Sequence, residues 1–404
     1  MPATLDLVPA VAPVPGAAPR ASRSDAGIVT LGIEEELQVV DAAGALAAHD
    51  FDRGGREVPD REGSSSREIH RCVIEVKTRV CSSPDQAVRA LAVMRAVAAR
   101  RAALQGQRVL AAALHPFSRW PEQALHDEPG VHPHYAHLLD EYGEVARAAL
   151  TYGLHVHLGV SRPQWRMPVM NALRTWLPEV LALSASGPFF EGRDTGLQSW
   201  RHSQLDRYPR MGIPEVWPNE EAYWAHVHRL RRVGSIEPDQ GLWEDLRLHH
   251  RYGTLEVRVC DATPSLDRVW LIVALLQAEV TTLEAELAQG RPLHPVPRSL
   301  LEDSKWRARR RGLAATVVDW ATEREQPMRQ RLAHWLARVH PAAQRLGFAT
   351  RLAHAMEAAL AEGSSADQQR GWWGGSGGSF AAVIDALVAQ TAQPLSPALE
   401  RAHG

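Results

Sequence analysis

The sequence predicts an α+β protein built on a sheet with one apolar face and one face armed with ionisable groups. Three observations carry this. Several strand-like runs alternate apolar and polar residues, several longer runs repeat apolar residues at helical spacing, and the polar parity of the strands collects Glu, His, Lys and Arg. A chain of 404 residues with 45% apolar and 23% charged content is enough for a sizeable core.

The first 26 residues, rich in Ala, Pro and Val, read as a disordered tail, and 27–404 as a single catalytic domain whose portion from about 290 onward is helical. Ile28 to Val40 reads as a strand, followed by the turn Asp41-Ala-Ala-Gly44 and a return at Ala45, which makes a hairpin. Asp52 to Arg67, full of Gly, Ser and charge, reads as a mobile loop before a second strand from Ile69 to Thr78. Ser83 and Pro84 supply an N-cap and first helical residue, and Val88, Leu91, Val97 and Leu104 form an apolar stripe that Gly106 ends. Leu110 to Leu114 reads as a strand. Helical patterns return at Asn171 to Ser184, Glu220 to Val233 and Leu266 to Leu287, and run through most of the chain after Arg307. Gly371 to Ser379, with Trp372 and Trp373, reads as a flexible loop between C-terminal helices, equally a linker or an active-site lid.

A formal net charge of -2 gives no global field for holding nucleic acid. Cys72, Cys81 and Cys260 lack the close spacing of a metal knuckle and fit reduced thiols in a cytoplasmic protein. The longest apolar stretch, Val269 to Ala278, is interrupted by Gln277 and followed by Glu279, so no membrane span is expected, and the N-terminus lacks the pattern of a secretory signal.

The chemistry is read from strand parity. In Thr151 to Val160, Leu154, Val156, Leu158 and Val160 share one face, while His155, His157 and Gly159 share the other. In Thr254 to Asp261, Leu255, Val257 and Val259 oppose Thr254, Glu256, Arg258 and Cys260. Gly32-Ile-Glu-Glu-Glu36 places Glu34 and Glu36 on one face, roughly 7 Å apart, and Glu35 on the other. Glu75 and Lys77 share a face of the second strand. Carboxylates that close repel unless a cation lies between them, and oxygen donors with an imidazole suit magnesium or manganese. Taken singly, Glu-Glu-Glu is commonly a solvated strand edge, His-x-His a hydrogen-bonded pair, and Glu256 with Arg258 a cross-strand charge pattern. Their joint occurrence on one-sided strands points to a polar cavity.

In this order and spacing, Gly32-Ile-Glu-Glu-Glu36, Ile74-Glu-Val-Lys-Thr78, His115-Pro-Phe117 with Trp120, Gly153-Leu-His-Val-His-Leu-Gly159, Leu183-Ser-Ala-Ser186, Glu191-Gly-Arg-Asp-Thr-Gly196 with Ser199 and Arg201, and Gly253-Thr-Leu-Glu-Val-Arg-Val-Cys-Asp261 resemble the carboxylate-amine ligase family, the type 2 glutamate-cysteine ligases. The resemblance implies a glutamine synthetase-like fold: a twisted, mainly antiparallel sheet forming a funnel-shaped active site, with helices packed outside. It further implies ATP with Mg2+ or Mn2+ as cofactors, and formation of an amide, γ-glutamyl in type, between glutamate and cysteine or another amine through an acyl phosphate. Carried over by position, Glu34, Glu36, Glu75, His155 and Glu256 are expected as metal ligands. Arg258 is expected to face the transferred phosphate, and His157 to serve as a catalytic group, a ligand or a substrate contact. Lys77, Arg193, Arg201, Arg247 and Arg310 are expected to hold substrate or phosphate. Glu68 falls near a further acidic position, but its parity opposes Glu75.

Departures from the family pattern are Leu246 and Leu248 around Arg247, Gly187 where Ser is usual, Ser304 where Asn is usual, and Arg309 and Arg311 flanking Arg310. They cluster away from the metal and phosphate positions and imply an unusual amine. Two alternatives stay open: a metalloenzyme using His155, His157 and Glu256 without nucleotide, and a non-catalytic member that only binds ligand. The partners expected are small molecules; exposed apolar helices would also allow a homodimer.

Overall fold

The structure is a computed structural model that describes residues 28–51, 61–126, 133–237, 242–320 and 322–394. The expected N-terminal tail therefore lies outside the described residues, as does most of the loop expected to begin at Asp52.

The main sheet is built from β1 (Leu31–Val40), β2 (Gly63–Arg67), β3 (Val73–Thr78), β4 (Arg108–Leu110), β5 (Gly153–Leu158), β8 (Leu246–Leu248) and β9 (Leu255–Asp261), while β6 (Phe189–Phe190) and β7 (Arg193–Asp194) form a separate hairpin. Its order is β2-β3-β1-β5-β9-β8, with β4 beside β1, and the pairings are antiparallel. The α+β expectation holds. β1 is central because both its edges are used: Glu34 pairs Lys77 on one side and His155 on the other. The expected hairpin turn closes through Ala45 N to Asp41 Oδ1 at 3.0 Å and the Val40–Leu46 bridge.

One sheet face packs Leu31, Ile33, Ile74, Val76, Leu154, Val156, Leu158, Leu255 and Val257 into the core. Against it lie the helices Pro84–Ala103 and Leu266–Ala288. The first starts as expected, with Ser83 accepting from Gln86 N and Pro84 entering first. The second is buried on nearly every side, which explains its almost unbroken apolar sequence. Glu35 is the exception on the apolar face. It is fully buried, and Arg95 from the helix meets it with two short bonds of 2.6 and 2.7 Å. Arg95 also bonds the carbonyls of Thr263 and Pro264 at 2.7 Å, so one guanidinium ties sheet, helix and the entry to the next helix.

Several boundaries differ from expectation. The Ser-rich end of the expected loop is the edge strand β2, whose Ser64 and Ser66 pair with Lys77 and Glu75; polar side chains hide a strand when the face they occupy is itself polar. Its partner starts at Val73 rather than Ile69, and the strand expected at Leu110 to Leu114 ends at Leu110. The region after Arg307 contains, besides helices, a hairpin of β10 (Thr316–Asp319) and β11 (Arg324–Pro327). Gly371 to Ser379 is not mainly loop: the helix Ser365–Gly375 runs through both tryptophans. A capping box between Ser364 and Asp367 starts it, and Trp372 and Trp373 pack on a second apolar cluster with Val383, Ile384 and Leu387. Packing there outweighs the helix cost of glycine, about 1 kcal/mol each.

Candidate active site

The other sheet face carries the ionisable groups, and register brings them side by side. Across the strands lie Ser66 and Glu75, then Glu36, and in the neighbouring row Lys77, Glu34 and His155, with His157 opposite Glu256 and Glu256 opposite Arg247. Glu34, His157 and Glu256 offer ligand atoms within 4.8 Å of one another. His155 Nδ1 stands 3.7 Å from Glu256 Oε1 and 4.0 Å from Glu34 Oε2. His157 Nε2 lies 3.4 Å from Glu34 Oε1 while its Nδ1 is bonded to Thr254 Oγ1 at 2.9 Å, which fixes the ring with one nitrogen toward the carboxylates.

β9 does not keep strict alternation. The amides of both Arg258 and Val259 donate to Asp245 O, at 2.7 and 3.2 Å, and the register with β5 slips at that point. This is a β-bulge, and it reverses parity beyond Arg258. Cys260, expected on the chemical face, is consequently packed in the core. Asp261 instead reaches the polar side, where it accepts from Ser199 Oγ at 2.9 Å and Ser186 N at 3.0 Å and stands 3.9 Å from Arg201.

The charges divide into two groups. Burial works against the charged form of Glu34, but the hydrogen bond and charge of His157, with Lys77, outweigh it and hold the carboxyl at about 2. Burial likewise opposes ionisation of Glu256, yet Arg247 at 2.7 Å and Arg258 at 2.6 Å keep it well below the ordinary carboxylate range. In the second group, burial pushes Glu36 and Glu68 up, and Glu75 to about 7. Arg201 and the Gly153 amide, 2.6 Å from Glu36 Oε2, oppose the rise at Glu36; Lys77, 2.7 Å from Glu75, opposes it there. Glu68 is pushed further by Glu75 and Glu36. Burial and Arg258 keep His155 neutral, well below the ordinary imidazole range.

Glu68 thus joins the site although its parity opposed that. β2 ends at Arg67 and the chain turns before β3, so parity counted from Glu75 does not extend to it. Two cavities meet this face. One, of about 310 Å3, reaches Glu36, Glu68 and Arg258. The other, of about 330 Å3, reaches Glu34, His157 and Lys77, with Arg79, Arg251 and Tyr252 on its wall. Arg201 is buried beside Glu36, and its approach requires glycine at 153: a Cβ there would sit 2.5 Å from Arg201 Nη2 and 3.0 Å from His155 Nε2. Arg247 is brought in but committed to Glu256. Arg193 and Arg310 line neither cavity: Arg193 is exposed on the β6–β7 hairpin, and Arg310 bonds the Gly196 carbonyl just beyond it. Among the described residues no helix is long and apolar enough to cross a membrane.

The family model for glutamate-cysteine ligase family 2 matches residues 30–373. A Sorangium cellulosum protein provisionally named glutamate–cysteine ligase 2 is 35% identical over 368 residues, covering 90% of this chain and 96% of the relative. One from Herpetosiphon aurantiacus, with the same provisional name, is 31% identical over 381 residues, covering 93% and 97%. Among solved structures, a bifunctional glutathione synthetase from Pasteurella multocida is similar at TM-score 0.67 and 15% identity, covering 90% of this chain and 53% of that one. A glutamate–cysteine ligase from Francisella tularensis, in complex with AMP, is similar at 0.65 and 12%, covering 92% and 91%. These two likenesses carry the fold, the α+β arrangement of glutamine synthetase-like ligases. With a family model spanning most of its length and relatives above 30% identity, the chain belongs to glutamate–cysteine ligase family 2.

Proposed function

We propose that this protein is an ATP-dependent carboxylate–amine ligase that joins the side-chain carboxylate of glutamate to an amine. The observation that carries this reading is the convergence of Glu34, Glu36, Glu68, Glu75, His155, His157 and Glu256 on one sheet face between two cavities. The donor set of carboxylates and imidazole fits hard divalent ions, and His157, fixed by Thr254 with its free nitrogen against a carboxylate, is oriented as a ligand would be. Glu34, Glu256, His155 and His157 would hold one ion, and Glu36 and Glu75 a further one, with Glu68 left beside them as a free carboxylate. Bound magnesium or manganese would neutralise phosphate charge as it develops.

The cavity reaching Lys77, with Arg79 and Arg251, suits the polyanionic nucleotide; the one reaching Glu36, Glu68 and Arg258 suits the carboxylate and amine. The donor carboxylate oxygen attacks the γ-phosphorus, the bond from that phosphorus to the ADP oxygen breaks, and ADP leaves. Arg258, its Nη1 on Glu256 at 2.6 Å, is oriented to hold the transferred phosphoryl oxygens, and buried Arg201 to hold the donor. The amine nitrogen then attacks the acyl carbon, the carbon–oxygen bond to phosphate breaks, and a site carboxylate, Glu68 by position, takes the amine proton. We further propose that this machinery belongs to one catalytic unit spanning residues 27–404.

Purified protein should release ADP only when glutamate, an amine and Mg2+ or Mn2+ are all present, and EDTA should stop it. Magnesium should also raise the melting temperature of the wild type but not of Glu34→Gln. ADP-independent turnover of a substrate, or unchanged ion binding in that variant, would overturn the reading.

A further inference from the structure

The bulge in β9 that carries Arg258 is held by groups the ligase chemistry does not use. All four main-chain polar groups of its two residues are taken. Both amides donate to Asp245 O, the Arg258 carbonyl accepts from Arg201 at 3.4 and 3.5 Å, and the Val259 carbonyl accepts from buried His202 Nε2 at 2.9 Å. The bulge therefore forms where the Asp245 carbonyl stands, and Asp245 is itself clamped. Its amide donates to Gly212 O at 2.8 Å, and its carboxylate meets Lys305 Nζ at 2.6 Å, with both side chains only 3% exposed.

Lys305 belongs to the helix Arg298–Arg311, and its neighbours on that helix serve the same frame. Glu302 accepts from the Ile213 amide at 2.8 Å, next to Gly212, and the Arg309 carbonyl accepts from the amides of Gln198 and Ser199 at 2.8 and 3.1 Å. Ser199 Oγ in turn donates to Asp261, which stands beside Arg201. Glu302, Lys305 and Arg309 are spaced three and four apart, so one stretch of helix face holds both the approach to the bulge and the segment leading into Arg201. Stability does not account for the buried pair at its middle, because apolar side chains of similar volume would commonly be as stable there. What the charges add is direction: the carboxylate, and the peptide that carries it, satisfies Lys305 in one position, whereas apolar packing tolerates several.

Resting on the ligase reading above, which puts Arg258 on the transferred phosphoryl group and Arg201 on the donor, we propose that Lys305 is a positioning residue. By fixing the Asp245 carboxylate it seats the carbonyl on which the bulge forms, and so aims both arginines. Lys305 lines neither cavity and touches no reacting group; it acts through Asp245 alone. Because Arg258 meets charge that develops in the transition state, loss of its placement falls on kcat rather than on KM for ATP.

The test uses the full chain and the matched variant Asp245→Asn with Lys305→Met, which removes both charges together, keeps the main-chain carbonyl and leaves neither charge buried alone. Its urea midpoint is expected to stay near that of the wild type. Hydrogen exchange read by mass spectrometry should show the Arg258 and Val259 amides opening about tenfold faster, with β1 unchanged. Activity is measured with glutamate, ATP, Mg2+ and hydroxylamine, so small a nucleophile that the choice of amine does not enter. The kcat for hydroxamate formation should fall by about tenfold or more while KM for ATP moves less than about threefold. Were the pair merely structural, kcat would be retained along with stability. A folded double variant with wild-type kcat, or with unchanged exchange at Arg258 and Val259, therefore overturns the proposal. Asp245→Asn alone keeps the volume and an acceptor for Lys305; it serves should the double variant not fold, and is read by the same two measurements. Neither ADP nor hydroxamate from the wild type removes the ligase reading and the proposal with it, whereas wild-type turnover beside an unaffected variant removes the proposal alone.

Discussion

Removing Arg95 should cost the fold more than removing any single carboxylate of the site's raised group. Glu35 and Arg95 are both buried, joined by two bonds of 2.6 and 2.7 Å, and Arg95 alone satisfies one bond each from the Thr263 and Pro264 carbonyls. Arg95→Met preserves much of the volume but strands a carboxylate in the core, a loss of about 3–5 kcal/mol. Two carbonyls left without that donor add roughly 1 kcal/mol each. Against a typical stability of about 5–15 kcal/mol, this is a large fraction. Equilibrium urea unfolding followed by tryptophan fluorescence reads it directly. The pair should behave as a unit: Glu35→Met with Arg95→Met should recover most of the loss, because the buried charge goes with its partner. One residue along, Glu36→Gln should leave stability unchanged or raise it, since burial already disfavours that carboxyl's charged form. A loss below about 1 kcal/mol for Arg95→Met, or a double variant as unstable as the two single losses added, would refute the reasoning.

Other perturbations separate chemistry from folding. Glu34→Gln should lower amide formation by about 100-fold or more with an unchanged circular dichroism spectrum; retained turnover would remove Glu34 from the site. Gly153→Ala should reduce kcat, because the new methyl meets Arg201 and His155; steady-state kinetics with an unchanged kcat would show that the contact is tolerated. Glu244 is buried, and burial, aided by Asp245 and Glu215 and opposed by Arg298, pushes its carboxyl to about 8. Its folded pKa thus exceeds its unfolded one, so its contribution is complete below the ordinary carboxylate range and is lost as pH rises toward 8. Glu244→Gln should flatten that fall and leave the variant more stable above pH 8, by an upper limit of roughly 5 kcal/mol at 1.4 kcal/mol per unit. An unchanged slope of urea stability against pH would contradict it.

Strand parity made much of the site legible, and the places where it failed share a cause. Glu34, Glu36, Glu75, Lys77, His155, His157 and Glu256 lie on uninterrupted parts of β1, β3, β5 and β9, where a period of two decides the face. Cys260 lies on the face opposite to the expected one because the bulge at Arg258 and Val259 adds a residue, and a bulge depends on the Asp245 carbonyl, supplied from another strand's approach. Glu68 escaped for the related reason that parity does not pass through a turn. Tyr208 and Trp243, which line the first cavity, left no local signal, since they come from segments that no periodicity connects and that only the packed chain brings together. Groups whose spacing is fixed by continuous strands make up the row of carboxylates and imidazoles, whereas Tyr208, Met211 and Trp243 reach the first cavity from loops and helix ends. Inserting or deleting one residue in these strands would turn a charge into the core, whereas the loops and helix ends that line the first cavity carry no such constraint.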